Sequence, residues 1–460
     1  MSSHRQPMAH TDAAWLRMDS TANQMIVNGV LWFDEPLDWD RFEQRFRETV
    51  LDRFDRFHQR PVEHADLRPP EWEDDPGFDP SRHMHRRTLP APGDERALKQ
   101  FVGDHLAVPL DHGRPLWDAY LLDGYGAGSA VLLRIHHSVA DGIALGRVLL
   151  GMVDGGEPPS PVHMADHEDN GHGPLGALLH EGAETVRHPR HALALSAAAL
   201  RDARTLAKLL LPGADPPSAI RGELGLAHRV GWSAPVDLWR CKRTAKALGA
   251  TVNDVLVAAV TGALASYLRE HDGAPADVHA LVPVNLRPPS EPLDAELGNR
   301  FGLVLLGLPV GIEDPVLRAL EVKRRMDAIK HGHEAPITLG ILSLMGLTPA
   351  PVEARLIDFF SAKGSLVLTN VPGPRRPLEL TGRRLGGVLV WAPCSGSVGM
   401  SVTIFSYAGK VTVGFMAAQR LVADPQVLAD GFRDELLTLA RLTRTARPRD
   451  RRNGPPRPRA

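Results

Sequence analysis

The densest cluster of chemistry-bearing residues in the 460-residue chain is His136-His137-Ser138-Val139-Ala140-Asp141-Gly142. An imidazole is the side chain best suited to take and return a proton near neutral pH. An aspartate four residues later can turn back to fix the loop or hold a cation, and Gly142 gives the backbone freedom for that turn. Other chemistries find little support. His137 and Asp141 make a partial metal pair, but no third ligand lies nearby in sequence and no CxxC or HExxH spacing occurs, so no metal is expected. Ser395-Gly396-Ser397-Val398-Gly399 misses the GxSxG frame of a nucleophile elbow. No Walker sequence is present, which argues against nucleotide hydrolysis. The paired histidines also have a plainer explanation, a strand end with one side chain inward and one outward.

The elements that must carry this cluster follow from hydrophobic periodicity. Ala130–Ile135 is an apolar run ending at the motif, and Ile143, Leu145, Val148, Leu149 and Met152 mark a helix leaving it. A strand end fixes the base of a side chain while the loop aims it into a cleft. Ile26–Phe33 reads as another strand, and Phe42, Phe46 and Val50 recur at helical spacing. Asp94 opens a helix through Leu98, Val102 and Leu106. Trp117–Leu122 and Ala130–Ile135 flank Gly124-Tyr125-Gly126-Ala127-Gly128. Lying between two strands, that GxGxG is a hairpin turn and not a dinucleotide loop. Arg53–Arg87, charged and proline-containing, is expected to be irregular. A second alternation begins near Val230, with a helix opening at Thr251, strands at Val278–Val284 and Gly302–Val310, and a helix capped by Asp314-Pro315. Strands at Ser365–Thr369, Leu385–Trp391, Val398–Phe405 and Lys410–Met416 follow. A last helix places Leu428, Phe432, Leu436 and Leu439 on one face.

Composition bounds the rest. The chain is 43% apolar and 23% charged, with 53 Lys+Arg against 55 Asp+Glu, an ordinary globular balance. Near-neutral charge gives no general attraction to nucleic acid, and no such partner is expected. Two cysteines, Cys241 and Cys394, are too few for a disulfide framework and suit a cytoplasmic protein. The length favours two domains: residues 1–154 with the motif, and 229–445. Between them, 155–228 reads as a Pro/Gly-rich linker and a helical connection. The tail, 446–460, carries six arginines and four prolines and is expected to be disordered. The uncharged stretch 335–352 contains Pro336, Pro349 and Pro351 and reads as an amphipathic or buried helix, not a membrane span.

Further blocks make the pattern specific. HHSVADG resembles the HHxxxDG signature of the acyl-CoA-dependent acyltransferases related to chloramphenicol acetyltransferase and condensation domains. Other segments are similar, in order, to blocks of the bacterial wax ester synthase/diacylglycerol acyltransferase family. They are Pro109-Leu110-Asp111 with Pro115-Leu116-Trp117, then Gly249-Ala250-Thr251-Val252-Asn253-Asp254-Val255. Val282-Pro283-Val284-Asn285-Leu286-Arg287, Gly298-Asn299 and Thr369-Asn370-Val371-Pro372-Gly373-Pro374 complete the set, so the resemblance runs from about Asp12 to Leu439. It implies an α/β fold of α+β sandwich type, with two chloramphenicol-acetyltransferase-like domains. Each would be a mixed sheet flanked by helices, with a tunnel between them. It implies acyl transfer from fatty acyl-CoA to the hydroxyl of diacylglycerol or a long-chain alcohol. His137 would be the base, His136 would shape the pocket, and Asp141 would fix the loop through Arg287. Trp117, Asn253, Asn285, Thr369 and Asn370 would border the substrates, Thr369 or Asn370 facing the oxyanion. Acyl-CoA enters as substrate, and no cofactor is required.

Some of these residues have simpler explanations. Thr251 and Asp254 form a capping-box pattern, so Asp254 is expected to satisfy helix-start amides. Trp117 suits core packing, Val371-Pro372-Gly373-Pro374 is a rigid turn by composition, and Arg287 suits an exposed surface. Two other classes share the motif: a condensation-like enzyme with a carrier-protein donor, and a non-catalytic lipid-binding relative. Apolar substrates would draw the protein to the inner membrane face or a lipid droplet, peripherally, through 174–211, 335–352 or the basic tail.

Overall fold

The computed structural model describes residues 5–64, 68–155, 213–273, 275–285, 297, 299, 301–330 and 350–445. Arg287, residues 174–211, most of 335–352 and the tail 446–460 lie outside them.

β1 (Arg5–Pro7) and α1 (His10–Arg17) precede β2 (Ile26–Phe33). In α2 (Trp39–Phe46) the Asp38 carboxylate accepts the Arg41 amide, and the helix runs on into a π turn at Arg47–Leu51. Arg53–Arg87 is not irregular as expected: it holds β3 (Gln59–Val62), β4 (Glu71–Asp74) and β5 (Met84–Thr88). These strands gave no apolar alternation because polar pairs hold them, Glu73 accepting from both Arg5 and Arg60. α3 (Glu95–Leu106), capped by Asp94, leads to a hairpin of β6 (Trp117–Tyr125) and β7 (Gly128–His136), then α4 (Gly142–Met152).

The second half contains β8 (His228–Trp232), β9 (Val236–Asp237), α5 (Leu238–Leu248) and α6 (Val252–Asp272). β10 (Val278–Asn285), β11 (Phe301–Leu308), α7 (Pro315–Lys330) and α8 (Ala350–Ser361) follow. β12 (Leu366–Pro372), β13 (Glu379–Leu380), β14 (Arg383–Trp391), β15 (Met400–Tyr407), β16 (Lys410–Ala418) and α9 (Gln426–Thr445) complete it.

Two mixed sheets result, one ordered β13-β14-β2-β7-β6-β5 and the other β11-β10-β12-β15-β16-β8 with β9 beside β16. α2 and α4 cover one face of the first sheet through Phe42, Phe46, Val131, Leu133 and Val148. α6, α7 and α9 cover the second through residues such as Val260, Leu264, Val322, Phe432 and Leu436. Each such side chain contributes about 1.5–3 kcal/mol when fully buried. A third core joins Val102 of α3, Leu132 of the first sheet and Val230, Trp232 and Met416 of the second. The two lobes therefore share apolar packing.

Chain order does not follow the lobes. β14 pairs with β2, Leu389 opposite Val30, so the expected unit 229–445 gives Glu379–Trp391 to the first sheet. Glycine is required where these strands cross, because a Cβ on Gly387 would lie 2.0 Å from the Trp32 ring. Trp32 in turn stacks on Trp232 of the second sheet at 6.0 Å.

Candidate active site

The HHSVADG motif begins at the last residue of β7 and ends at the first of α4. The His136 amide donates to the Leu116 carbonyl at 2.9 Å and the His137 amide to that of Met25 at 2.6 Å, pinning the motif from two sides. Contrary to the inward–outward explanation, both imidazoles are buried. His136 Nδ1 accepts the Ser138 amide at 3.1 Å, which places its proton on Nε2, facing the Asp19 carboxylate at 3.8 Å. Asp141 is buried, and its Oδ1 accepts the Ala144 amide at 2.8 Å, capping α4. Gly142 has no left-handed φ, so the freedom expected of it is not used, and space lies open where its Cβ would be.

His137 is 6% exposed. Its ring stacks on Trp15 of α1 at 4.5 Å and tilts against Phe301 of β11 at 5.3 Å. Its carbonyl accepts Asn299 Nδ2 at 2.8 Å, and the same amide donates to Asp12 Oδ1 at 2.7 Å. Nδ1 is sealed from solvent and has no hydrogen-bond partner among the described residues. Burial pushes His137 well below the usual histidine range, to about 4, against the opposing attraction of Asp141. The imidazole is thus neutral at pH 7, the form a general base needs. Burial also pushes Asp12 up to about 7, against the Asn299 hydrogen bond.

Asp12, Trp15 and Phe301 were not singled out from sequence, and Asn299 appeared there only within a block. One signal was available: Asp12, Trp15 and Leu16 follow i, i+3, i+4 spacing, which sets a carboxylate in the buried stripe of α1.

The other expected site residues divide. Trp117, 1% exposed, lies among Phe46, Phe57 and His83, with Nε1 donating to the Phe57 carbonyl at 2.9 Å. These contacts are the core packing that its size suits. Asp254 forms the capping box: its amide donates to Thr251 Oγ1 at 3.1 Å and its carboxylate accepts the Thr251 amide at 2.8 Å. Asn370 donates to Asn253 Oδ1 at 2.6 Å, so these two meet each other. Thr369 Oγ1 reaches the Val402 carbonyl at 3.5 Å. Asn285 ends β10 in register with Phe301, the residue leaning on His137. Arg287, expected beside Asp141, lies outside the described residues.

A different set of potential metal ligands, without His137 or Asp141, lies beside the motif. Asp19, His112 and His136 bring ligand atoms within 4.8 Å of one another. The tautomer of His136 opposes ligation, because its Nε2 carries the proton. Burial raises the Asp19 carboxyl, but His112 at 3.4 Å, His136 at 3.8 Å and a hydrogen bond from the Met25 amide outweigh it and hold the group well below the usual carboxylate range. Asp19 acts here as the acceptor that ties the motif to the turn before β2.

Residues 8–256 match the model of the wax ester synthase/diacylglycerol acyltransferase catalytic domain, and 297–440 match that family's C-terminal domain. The chain belongs to the wax ester synthase/diacylglycerol acyltransferase family. The probable diacylglycerol O-acyltransferase tgs1 of Mycobacterium tuberculosis is 31% identical to this family member over 401 residues, 85% of each chain. The probable diacylglycerol O-acyltransferase tgs2 of the same organism is 30% identical over 446 residues, 92% of this chain and 96% of that one. The fold is also that of the wax ester synthase/diacylglycerol acyltransferase from Marinobacter aquaeolei, with a TM-score of 0.67, 23% identity and coverage of 95% of this chain and 100% of that one. The first condensation domain of the calcium-dependent antibiotic synthetase matches with a TM-score of 0.61, 18% identity and coverage of 96% and 97%. The expected architecture of helix-flanked mixed sheets is the one observed.

Proposed function

We propose that this acyltransferase moves a fatty acyl group from acyl-CoA to the hydroxyl of diacylglycerol, a long-chain alcohol or both, giving triacylglycerol or wax ester. The observation that carries the reading is the buried imidazole of His137, neutral at pH 7 and with Nδ1 sealed from solvent, which leaves Nε2 as the nitrogen to meet a substrate. Nε2 takes the hydroxyl proton as that oxygen attacks the thioester carbonyl carbon. Collapse of the tetrahedral adduct breaks the carbon–sulfur bond, and the CoA thiolate takes the proton back from His137. A base of this kind contributes about 10²–10⁴ in rate, and holding both substrates together supplies much of the rest. Asp141 acts on the loop by capping α4, and His136 faces Asp19 at 3.8 Å beside it. Asn253, Asn285, Thr369 and Asn370 stand as substrate contacts, Thr369 or Asn370 toward the oxyanion, and Arg287 as the partner of Asp141. The chemistry calls for no metal or redox cofactor.

Among the described residues no single helix is long and apolar enough to cross a membrane. Lipid substrates then favour peripheral contact, at the inner membrane face or a lipid droplet. The test is thiol release from palmitoyl-CoA offered hexadecanol or diacylglycerol. Wild-type protein releases thiol only with acceptor, and His137→Ala loses about 10²–10⁴ of kcat/KM. Near-wild-type turnover by a folded His137→Ala protein sinks the assignment. Transfer from free acyl-CoA also separates this reading from one that needs a carrier-protein donor.

A further inference from the structure

α5 carries Arg240, Lys242, Arg243 and Lys246 and no acidic residue. Residues advance about 100° each around a helix, so Lys242, Lys246, Trp239, Arg243 and Arg240 fall in that order on one arc of roughly 160°. Trp239 sits at its centre. All five are exposed, Trp239 by 50%. The opposite arc, with Cys241, Thr244 and Ala245, is buried on the second lobe. The guanidinium carbons of Arg240 and Arg243 lie 5.3 and 5.2 Å from the Trp239 ring centre, so cations surround the indole. Asp237, the acid just before the helix, is shared between Lys410 and Arg240, which leaves Lys242, Arg243 and Lys246 with no ion pair among the described residues.

An indole joins an apolar body to a polar edge, which suits the boundary between hydrocarbon and headgroups. Basic side chains on the same face add attraction to anionic headgroups. α5 and α6 pass a span-length test only together, across a bend of 98°, and α6 is buried in the core. That leaves α5 lying on a surface rather than crossing it. The helix ends at Gly249, close in sequence to Asn253, whose side chain meets Asn370.

We propose that the Trp239-centred basic arc of α5 docks this enzyme on an anionic lipid bilayer, the indole entering the interfacial layer and the four cations meeting headgroup phosphates. The role this docking would play rests on the lipid-acyltransferase reading above, but the binding itself does not.

The experiment is co-flotation of the full chain with phosphatidylcholine vesicles, with and without phosphatidylglycerol. Wild-type protein should float with the anionic vesicles, should be released by high salt, and should stay behind with neutral ones. Trp239→Ala and the double variant Arg240→Glu/Arg243→Glu should each lower the bound fraction about tenfold. Thiol release from a soluble short-chain acyl-CoA and alcohol should be unchanged in both variants, which shows that they fold. Wild-type flotation by both variants overturns the proposal. So does binding of heparin with no vesicle binding, which would mark the arc as a site for an acidic macromolecule. Loss of thiol release in wild-type protein with flotation intact would overturn the acyltransferase reading alone.

Discussion

Asn299→Ala tests how the base is held. Asn299 Nδ2 donates at once to the His137 carbonyl at 2.8 Å and to Asp12 Oδ1 at 2.7 Å. Alanine removes the amide donor from the His137 carbonyl and leaves Asp12 only the backbone amide of residue 299, and an unsatisfied buried group costs about 1–3 kcal/mol. The predicted stability loss is about 1–3 kcal/mol, nearer the lower value if water enters the vacated space. The kinetic effect follows from where that carbonyl sits, on the same residue as the reacting ring. A carbonyl free to swing lets the ring turn or change tautomer, and a misplacement near 1 Å costs about 10²-fold in kcat. KM should change far less, because Asn299 touches the base and not the substrate. Thiol-release kinetics and urea unfolding measure the two effects separately. Asn299→Asp sharpens the test: it regains a donor only when protonated, so its kcat should climb as pH falls from 8 to 6. A folded Asn299→Ala enzyme with kcat within about twofold of wild type refutes the positioning argument.

Two pH predictions follow from the same site. Because burial depresses His137, the neutral base persists below the usual histidine range, and the acid limb of kcat/KM should lie under pH 6; half-maximal activity at pH 6.5 would contradict this. Asp12 has the opposite sign. Its folded value, about 7, exceeds its ordinary 3.8, so its contribution is fully present below 3.8 and is lost as pH rises through 7. Urea unfolding of wild type against Asp12→Asn should therefore show wild type losing about 1 kcal/mol per pH unit relative to the variant between pH 4 and 7, then levelling. Parallel stability curves would count against a protonated Asp12.

Elements with strong periodicity were legible in the sequence. Ile26–Phe33 is the observed β2, and Leu428, Phe432, Leu436 and Leu439 all point into the core from α9. Asp94 and Thr251 cap the helices they were expected to start. Strands β3 to β5 were hidden because ion pairs and short length replace apolar alternation there. Trp117 was ambiguous in another way: a large aromatic in a matching block fits a channel wall and a core equally well, and its neighbours are known only from the fold. The reactive histidine could be read from its motif, but its supports could not. Asp12 lies 125 residues before it and Asn299 162 residues after, and spacing along the chain carries no trace of either contact.

That distribution bears on how the enzyme holds its base. The first lobe supplies His137 at a strand end and Trp15 against its ring, while Asn299 and Phe301 come from the chain entering β11 of the second. The second half also supplies β14 to the first sheet, directly beside β2, and β2 is bonded to the strand that ends at His136. Shifting one lobe against the other would therefore strain β14 and move Asn299 away from the His137 carbonyl together. The neutrality of His137 depends on the same closure, since burial is its largest cause and Trp15 and Phe301 pack on the ring from α1 and the second sheet. Lobe packing, ring orientation and base strength are thus one coupled property, and a substitution at the Trp32–Trp232 stack should reach the chemistry without touching it.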